Sequence, residues 1–163
     1  MTPVRTSLSS PCPLAGVLAC LLAGLASACV PVEEPSAPPT PDRAVFDAAA
    51  WPVLVRDCGF AECHGSSQRF FRVVGPGHER LDPTTRLTDP VTPAELQLSY
   101  DRARSMIDAE HPRESLLLRK PLDVLAGGIG HEGTDQFGMD VYRSVDEPRF
   151  QTLVSWVTAS PPP

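Results

Sequence analysis

Apolar positions along the chain gather into a few patterned stretches, separated by connections rich in proline and glycine. Asp42 is placed to cap a first helix through Val45, Phe46 and Ala50. Trp51-Pro52 predicts an interruption, with Pro52 in the first turn of a second short helix, Val53 to Asp57. The strongest local signal is Thr92-Pro93-Ala94-Glu95. Thr92 caps, Pro93 takes the first helical position, and Glu95 completes a capping box. Leu96, Tyr100, Ala103 and Ile107 then recur at helical spacing, with Arg102, Arg104, Asp108 on other sides, and this helix ends before Pro112. Ser115 to Leu122 is a short apolar segment around three leucines. Ser144-Val145-Asp146-Glu147 predicts a second capping box, with Pro148 early in a closing helix. Phe150, Leu153, Val154 and Val157 make its buried stripe, Trp156 lies beside it, and Pro161 to Pro163 end it. Between these elements, Gln68 to Val74 is a short strand or extended loop stopped by Gly75-Pro76-Gly77, and 81–91 is loop.

The first residues do not belong to that pattern. Arg5 followed by the apolar stretch Leu14 to Leu25 predicts an export signal, and Ala26-Ser27-Ala28-Cys29 looks like a bacterial lipoprotein processing site. Residues 1–28 are therefore expected to be removed, leaving Cys29 to carry lipid; a plain secretory cut near Ala28 is the alternative. The apolar run is too short for a membrane-crossing helix. Residues 29–41 contain five prolines and form a semi-rigid tether. Residues 42–163 suit one small domain. All 20 acidic residues follow the signal, and the net charge is −6. No basic patch is dense enough to propose nucleic acid as a partner. The acidic balance serves solubility, or docking to a basic electron-transfer partner.

With Cys12 and Cys20 in the signal and Cys29 lipidated, the domain keeps only Cys58 and Cys63. In an oxidising compartment such a pair is bridged or consumed by a cofactor. The two stand in Cys58-Gly59-Phe60-Ala61-Glu62-Cys63-His64, followed by Gly65. Two cysteines with a histidine directly after the second is the arrangement that fastens a c-type haem. Each thiol adds to one haem vinyl group, and the adjacent histidine is carried beneath the iron. The usual spacing leaves two residues between the cysteines, and here there are four. The motif resembles the longer-looped attachment sites of some multihaem cytochromes c, and Gly59 is expected to take positive φ and let the loop bulge. Two other readings fit the same residues: a Cys58–Cys63 disulfide with His64 at the surface, and a zinc site completed by about two further ligands.

The order of elements extends the resemblance. A leading helix, the cysteine pair with His64 and Gly65, Ser115 to Lys120, a Gly/His loop and a closing Phe150-x-x-Leu153-x-x-Trp156 helix look like the single-haem cytochrome c-like domains of large exported bacterial proteins. The resemblance implies a mostly α fold of three to four helices with long loops, built around one haem c. It also implies assembly outside the cytoplasmic membrane. Relatives of that type place a Met-Pro or His-Gly element before the closing helix. His131, among Gly127, Gly128, Gly130 and Gly133, stands there, where glycines let the backbone approach a large flat group. Met139 is the runner-up as sixth ligand; Met106, His78 and His111 follow, Met106 being placed on the second amphipathic helix and read as core. Phe70 and Phe71 either cover a porphyrin face or belong to the core. The expected function is a lipid-tethered monohaem electron carrier working with a redox partner protein on the periplasmic side of a membrane. A haem-free lipoprotein stapled by Cys58–Cys63 is the alternative. An enzyme acting on peroxide or a small gas at an open iron position is a third possibility.

Overall fold

Four helices and the loops between them make up the chain in its computed structural model, which describes residues 39–131 and 140–159. The export segment, Cys29 and Met139 lie outside the described residues. The described residues belong to one unit, Ala37–Pro163. The fold is mostly α, and no strand is present among the described residues. None of the described helices is long and apolar enough to cross a membrane.

Helix α1 spans 43–58. Asp42 caps it, its carboxylate accepting from the Val45 amide at 2.9 Å. The chain does not break at Trp51-Pro52, but α-helical geometry restarts at Trp51 with Pro52 in its first turn, as expected. The helix passes through a π turn, Phe46–Ala50, in which the Trp51 amide donates to the Phe46 carbonyl, five residues back. Pro52 has no N–H to offer and crowds the carbonyl four residues before it, and a widened turn relieves both problems without ending the helix. Pro41, at the end of the compositional tether, is buried, and its carbonyl accepts the Tyr100 hydroxyl at 2.6 Å.

Helix α2, Pro93–Arg104, starts with the predicted capping box: the Thr92 hydroxyl accepts from the Glu95 amide at 3.2 Å and the Glu95 carboxylate accepts from the Thr92 amide at 2.9 Å. It ends at Arg104, so Met106 lies just beyond the helix and not on it. Glu95 has a second task. Its carboxylate is 1% exposed and receives both Nε and Nη2 of Arg80, at 2.7 and 2.8 Å. Arg80 also donates to the carbonyls of Asp89 and Pro90 at 2.9 and 3.0 Å, which folds the 81–91 loop onto α2.

Helix α3, Leu116–Arg119, is a single short turn. Helix α4, Pro148–Thr158, closes the domain. The second capping box is only half formed. Glu147 accepts from the Ser144 amide at 3.3 Å and from the Arg143 amide at 2.6 Å. The Ser144 hydroxyl, however, turns to the Asp146 amide, and Glu147 itself precedes the first helical residue, Pro148. Trp156 is 1% exposed and belongs to the core with Phe150, Leu153, Val154 and Val157. Its ring lies 5.0 Å from Phe46 and 6.3 Å from Tyr100, centroid to centroid, and Phe46 and Tyr100 lie 5.3 Å apart. This aromatic triangle joins α1, α2 and α4. Edge-to-face pairs of this kind add about 0.5–1.5 kcal/mol each beyond the area they bury.

Gln68 to Val74 forms no strand: Gln68 closes a turn, the chain bends at Phe70 and Phe71, and irregular chain follows. Val73 and Val74 are fully buried, and the Val73 amide donates to the His64 carbonyl at 2.9 Å. That hydrogen bond fastens the segment to the turn after α1.

Candidate functional site

The turn that follows α1 is tight. The His64 amide donates to the Cys58 carbonyl, and the Cys63 and Gly65 amides both donate to the Phe60 carbonyl, each at 2.9 Å. Gly59 has φ −77°, so the expected positive φ is not what the glycine supplies. It supplies space: a Cβ there would sit 2.4 Å from the Val55 carbonyl oxygen, and one on Gly65 would sit 1.9 Å from that of Gly59. The extra length of the inter-cysteine loop is absorbed outward, with Phe60, Ala61 and Glu62 exposed. Both sulfurs stay on the inner side. Cys58 is buried and Cys63 half-buried, and both thiols are free in this structure.

Cys58, Cys63 and His64 line a cavity of about 440 Å³ that His131 and Met106 also reach. Leu54, Phe71, Leu116, Leu117 and Leu153 form its apolar wall, and Arg69 and Lys120 contribute cationic groups. A volume of about 300–1,000 Å³ is ordinary for a cofactor or small-molecule site. The remaining candidate ligands lie elsewhere. His78 packs edge-on against Phe60 with centroids 5.1 Å apart, and the His111 side chain is 69% exposed beside Asp108.

The orientation of His64 is fixed by one contact. Its Nδ1 lies 3.0 Å from the Phe71 carbonyl oxygen. A carbonyl only accepts, so Nδ1 carries the proton and Nε2 keeps its lone pair. This is the tautomer a metal-ligating imidazole adopts when its other nitrogen donates to backbone. Burial lowers the His64 pKa, the hydrogen bond to Phe71 raises it, and the neighbouring His131 and Arg69 lower it further. The net direction keeps the ring neutral. The His131 ring lies 5.8 Å from that of His64, centroid to centroid, with 44° between the planes. Two imidazoles that share one metal atom at about 2 Å per bond require a separation of this order.

The Cys58 thiol is hard to ionise. Burial, then the Asp57 carboxylate, then Cys63 push its pKa up to about 12. A sulfur kept neutral suits a thioether better than a zinc thiolate, which must lose its proton. Among the described residues no group of three or more His, Cys, Asp or Glu is arranged to hold a metal ion. His64 and His131 are the two imidazoles that line the cavity.

The glycine loop before His131 is used differently from expectation. A Cβ on Gly128 would sit 1.8 Å from the Leu122 carbonyl oxygen, so that glycine serves close approach to the chain itself. Of Phe70 and Phe71 only the second takes a place of the kind foreseen, packed against the core and on the cavity wall. Phe71 faces the cavity with its ring 4.6 Å from His64, while Phe70 is 65% exposed under the Arg102 guanidinium.

Sequence reasoning missed the polar cluster behind the cysteines. Tyr142 donates its hydroxyl to Asp57 Oδ2 at 2.9 Å, and Arg149 Nε lies 2.9 Å from the same oxygen. These residues are far apart in the chain, and no spacing rule connects them. No family model, no curated protein and no solved structure matches this chain.

Proposed function

We propose that this chain is a membrane-tethered monohaem c-type cytochrome that carries electrons in a bacterial cell envelope. The observation that carries the reading is His64. Its Nδ1 is committed to the Phe71 carbonyl at 3.0 Å, its Nε2 is left free for a metal, and His131 lies 5.8 Å away across the cavity that both cysteines line.

In this reading Cys58 and Cys63 hold the haem through thioether bonds, and His64 and His131 take the two axial positions. Arg69 and Lys120 give its carboxylates cationic partners. The haem, when bound, supplies the one-electron couple of its iron. The leucines and Phe71 of the wall exclude water, which sets the local dielectric and hence the potential. The mostly α architecture with long loops around one cavity agrees with a cytochrome c-like domain. The export segment, lipidation at Cys29 and the proline-rich tether would hold that domain near a membrane, where a redox partner protein of the envelope can reach it.

The test is covalent attachment. Expressed with haem-maturation machinery, the protein is expected to keep its haem through acid-acetone extraction and denaturing electrophoresis. Its mass should rise by one haem, and Cys63→Ala should strongly impair that gain. A wild-type mass that shows only the loss of two protons, with no adduct, identifies the disulfide-bonded, haem-free lipoprotein instead.

A further inference from the structure

Tyr142 stands at a junction. Its amide donates to the Pro121 carbonyl at 2.9 Å, and the Asp123 amide donates to the Tyr142 carbonyl at 2.8 Å, forming an isolated parallel bridge between Leu122 and Tyr142. The bridge brings together two points on either side of His131. The same tyrosine sends its hydroxyl to Asp57 Oδ2 at 2.9 Å, one residue before Cys58. Tyr142 is fully buried and the Asp57 side chain is 9% exposed, at the edge of the cavity. Arg149 Nε, from α4, lies 2.9 Å from the same carboxylate oxygen as an ion pair, without the geometry of a hydrogen bond.

We infer that Tyr142 and Asp57 are positioning residues for His131: their hydrogen bond ties the base of the His131 segment to the end of the helix that carries Cys58. Neither touches the iron ligands' ring nitrogens, and both act through the backbone they hold. The hydrogen bond spans 85 positions of sequence and is the direct polar link between the attachment helix and the residues that bracket His131. The segment is fastened on its near side too, where the Ile129 amide donates to the Arg119 carbonyl at 3.1 Å. With Tyr142 fixed to Asp57, the Leu122–Tyr142 bridge at the base of the loop is held to the helix that carries Cys58. Without the hydroxyl, that direct tie from Tyr142 to the helix is lost, while the bridge to Leu122 and the apolar packing of the ring stay. A hydrogen bond to a charged acceptor in a buried setting is a strong one, and its loss weakens what it holds by about tenfold or more.

The inference rests on the proposed haem ligation in one respect, the ligand role of His131, and its test separates the two. Tyr142→Phe removes one oxygen and keeps the ring that packs against Phe150 at 5.4 Å. In haem-free protein, amide hydrogen exchange across 124–131 is expected to lose about tenfold in protection, while α2 and α4 keep theirs. In haem-loaded protein the haem stays covalently attached, and part of the low-spin spectrum converts to high spin. Asp57→Asn, which keeps an acceptor for the hydroxyl, retains the low-spin spectrum. Unchanged protection of 124–131 in Tyr142→Phe overturns the inference, as does an unchanged low-spin spectrum in loaded protein. If the wild type takes up no haem, the proposed function falls and the exchange measurement alone decides the inference.

Discussion

The imidazoles of His64 and His131 lie with ring centroids 5.8 Å apart on the wall of one cavity, although 67 positions separate them in the chain. His64 arrives from the turn at the end of α1, fixed by its hydrogen bond to Phe71. His131 arrives from the loop after α3. Met106, the methionine among the described cavity-lining residues, stands just past α2.

Bis-histidine ligation is therefore expected, with a low-spin visible spectrum and no far-red sulfur-to-iron charge-transfer band. His131→Ala should convert the spectrum to high spin while the haem stays attached. A nitrogen donor in place of methionine also holds the potential lower. A low-spin spectrum that survives His131→Ala but is lost in Met106→Ala or Met139→Ala assigns the ligand to sulfur instead.

The attachment turn gives a prediction that needs no cofactor. A Cβ on Gly65 would sit 1.9 Å from the Gly59 carbonyl oxygen and 3.0 Å from the Phe60 carbonyl carbon, both backbone atoms that cannot swing aside. Gly65→Ala forces the turn to open and costs roughly 2–3 kcal/mol by the usual scale of overpacking. Urea unfolding of the haem-free protein measures this directly. The same variant should take up less haem, because the amide of residue 65 helps to close the loop that aims both sulfurs inward. Unfolding midpoints that match wild type would show that the turn is looser than its hydrogen bonds imply.

Local chemistry was the legible part of this chain. The Thr92–Glu95 capping box, the Asp42 cap and the stripe of α4 depend on residues within a turn or two of each other, and all formed. The capping signal at Ser144 failed for a local reason as well. Pro148 starts the helix one residue after Glu147, so the box residues lie ahead of it. Pro52 was read as a break because its missing N–H was weighed against an α-helix alone, and a π turn supplied another way through. Phe70 and Phe71 could not be assigned to one role because they lie in an irregular, bent segment with no periodicity to read, and the fold sends one to the cavity and the other to the surface. Spacing singles out the cysteines and His64, and loop order singles out His131; the fold brings all four to one cavity. Asp57, Tyr142, Arg149, Arg69 and Lys120 carried no such pattern, since they meet only in the folded chain.

Glu95 is the acid whose ionisation matters most to the fold. Its carboxylate accepts from Arg80 Nε and Nη2, from the Leu81 amide at 3.1 Å and from the Thr92 amide at 2.9 Å. The Arg80 guanidinium is the largest cause of a pKa lowered from 4.5 to about 2, against the opposing effect of burial. A depressed carboxylate pKa means that the unfolded chain binds the proton first as pH falls. The stability that Glu95 contributes is therefore whole above about 4.5, declines below it, and is gone once the pH passes about 2. Thermal unfolding followed by circular dichroism between pH 6 and 2 should show the wild-type midpoint falling through that window. Glu95→Gln should start lower at pH 6 and lose much of the slope, while other carboxylates such as Asp82, lowered by its hydrogen bonds to Thr84, retain theirs. Removing one partner of a buried ion pair costs about 3–5 kcal/mol, because the other charge is left without a counterpart. Glu95→Ala is expected at that level, with the 81–91 loop released, since Arg80 then has only carbonyls to hold it there. A variant with the wild-type slope between pH 4.5 and 2 would mean that the acid sensitivity of this fold resides in other carboxylates.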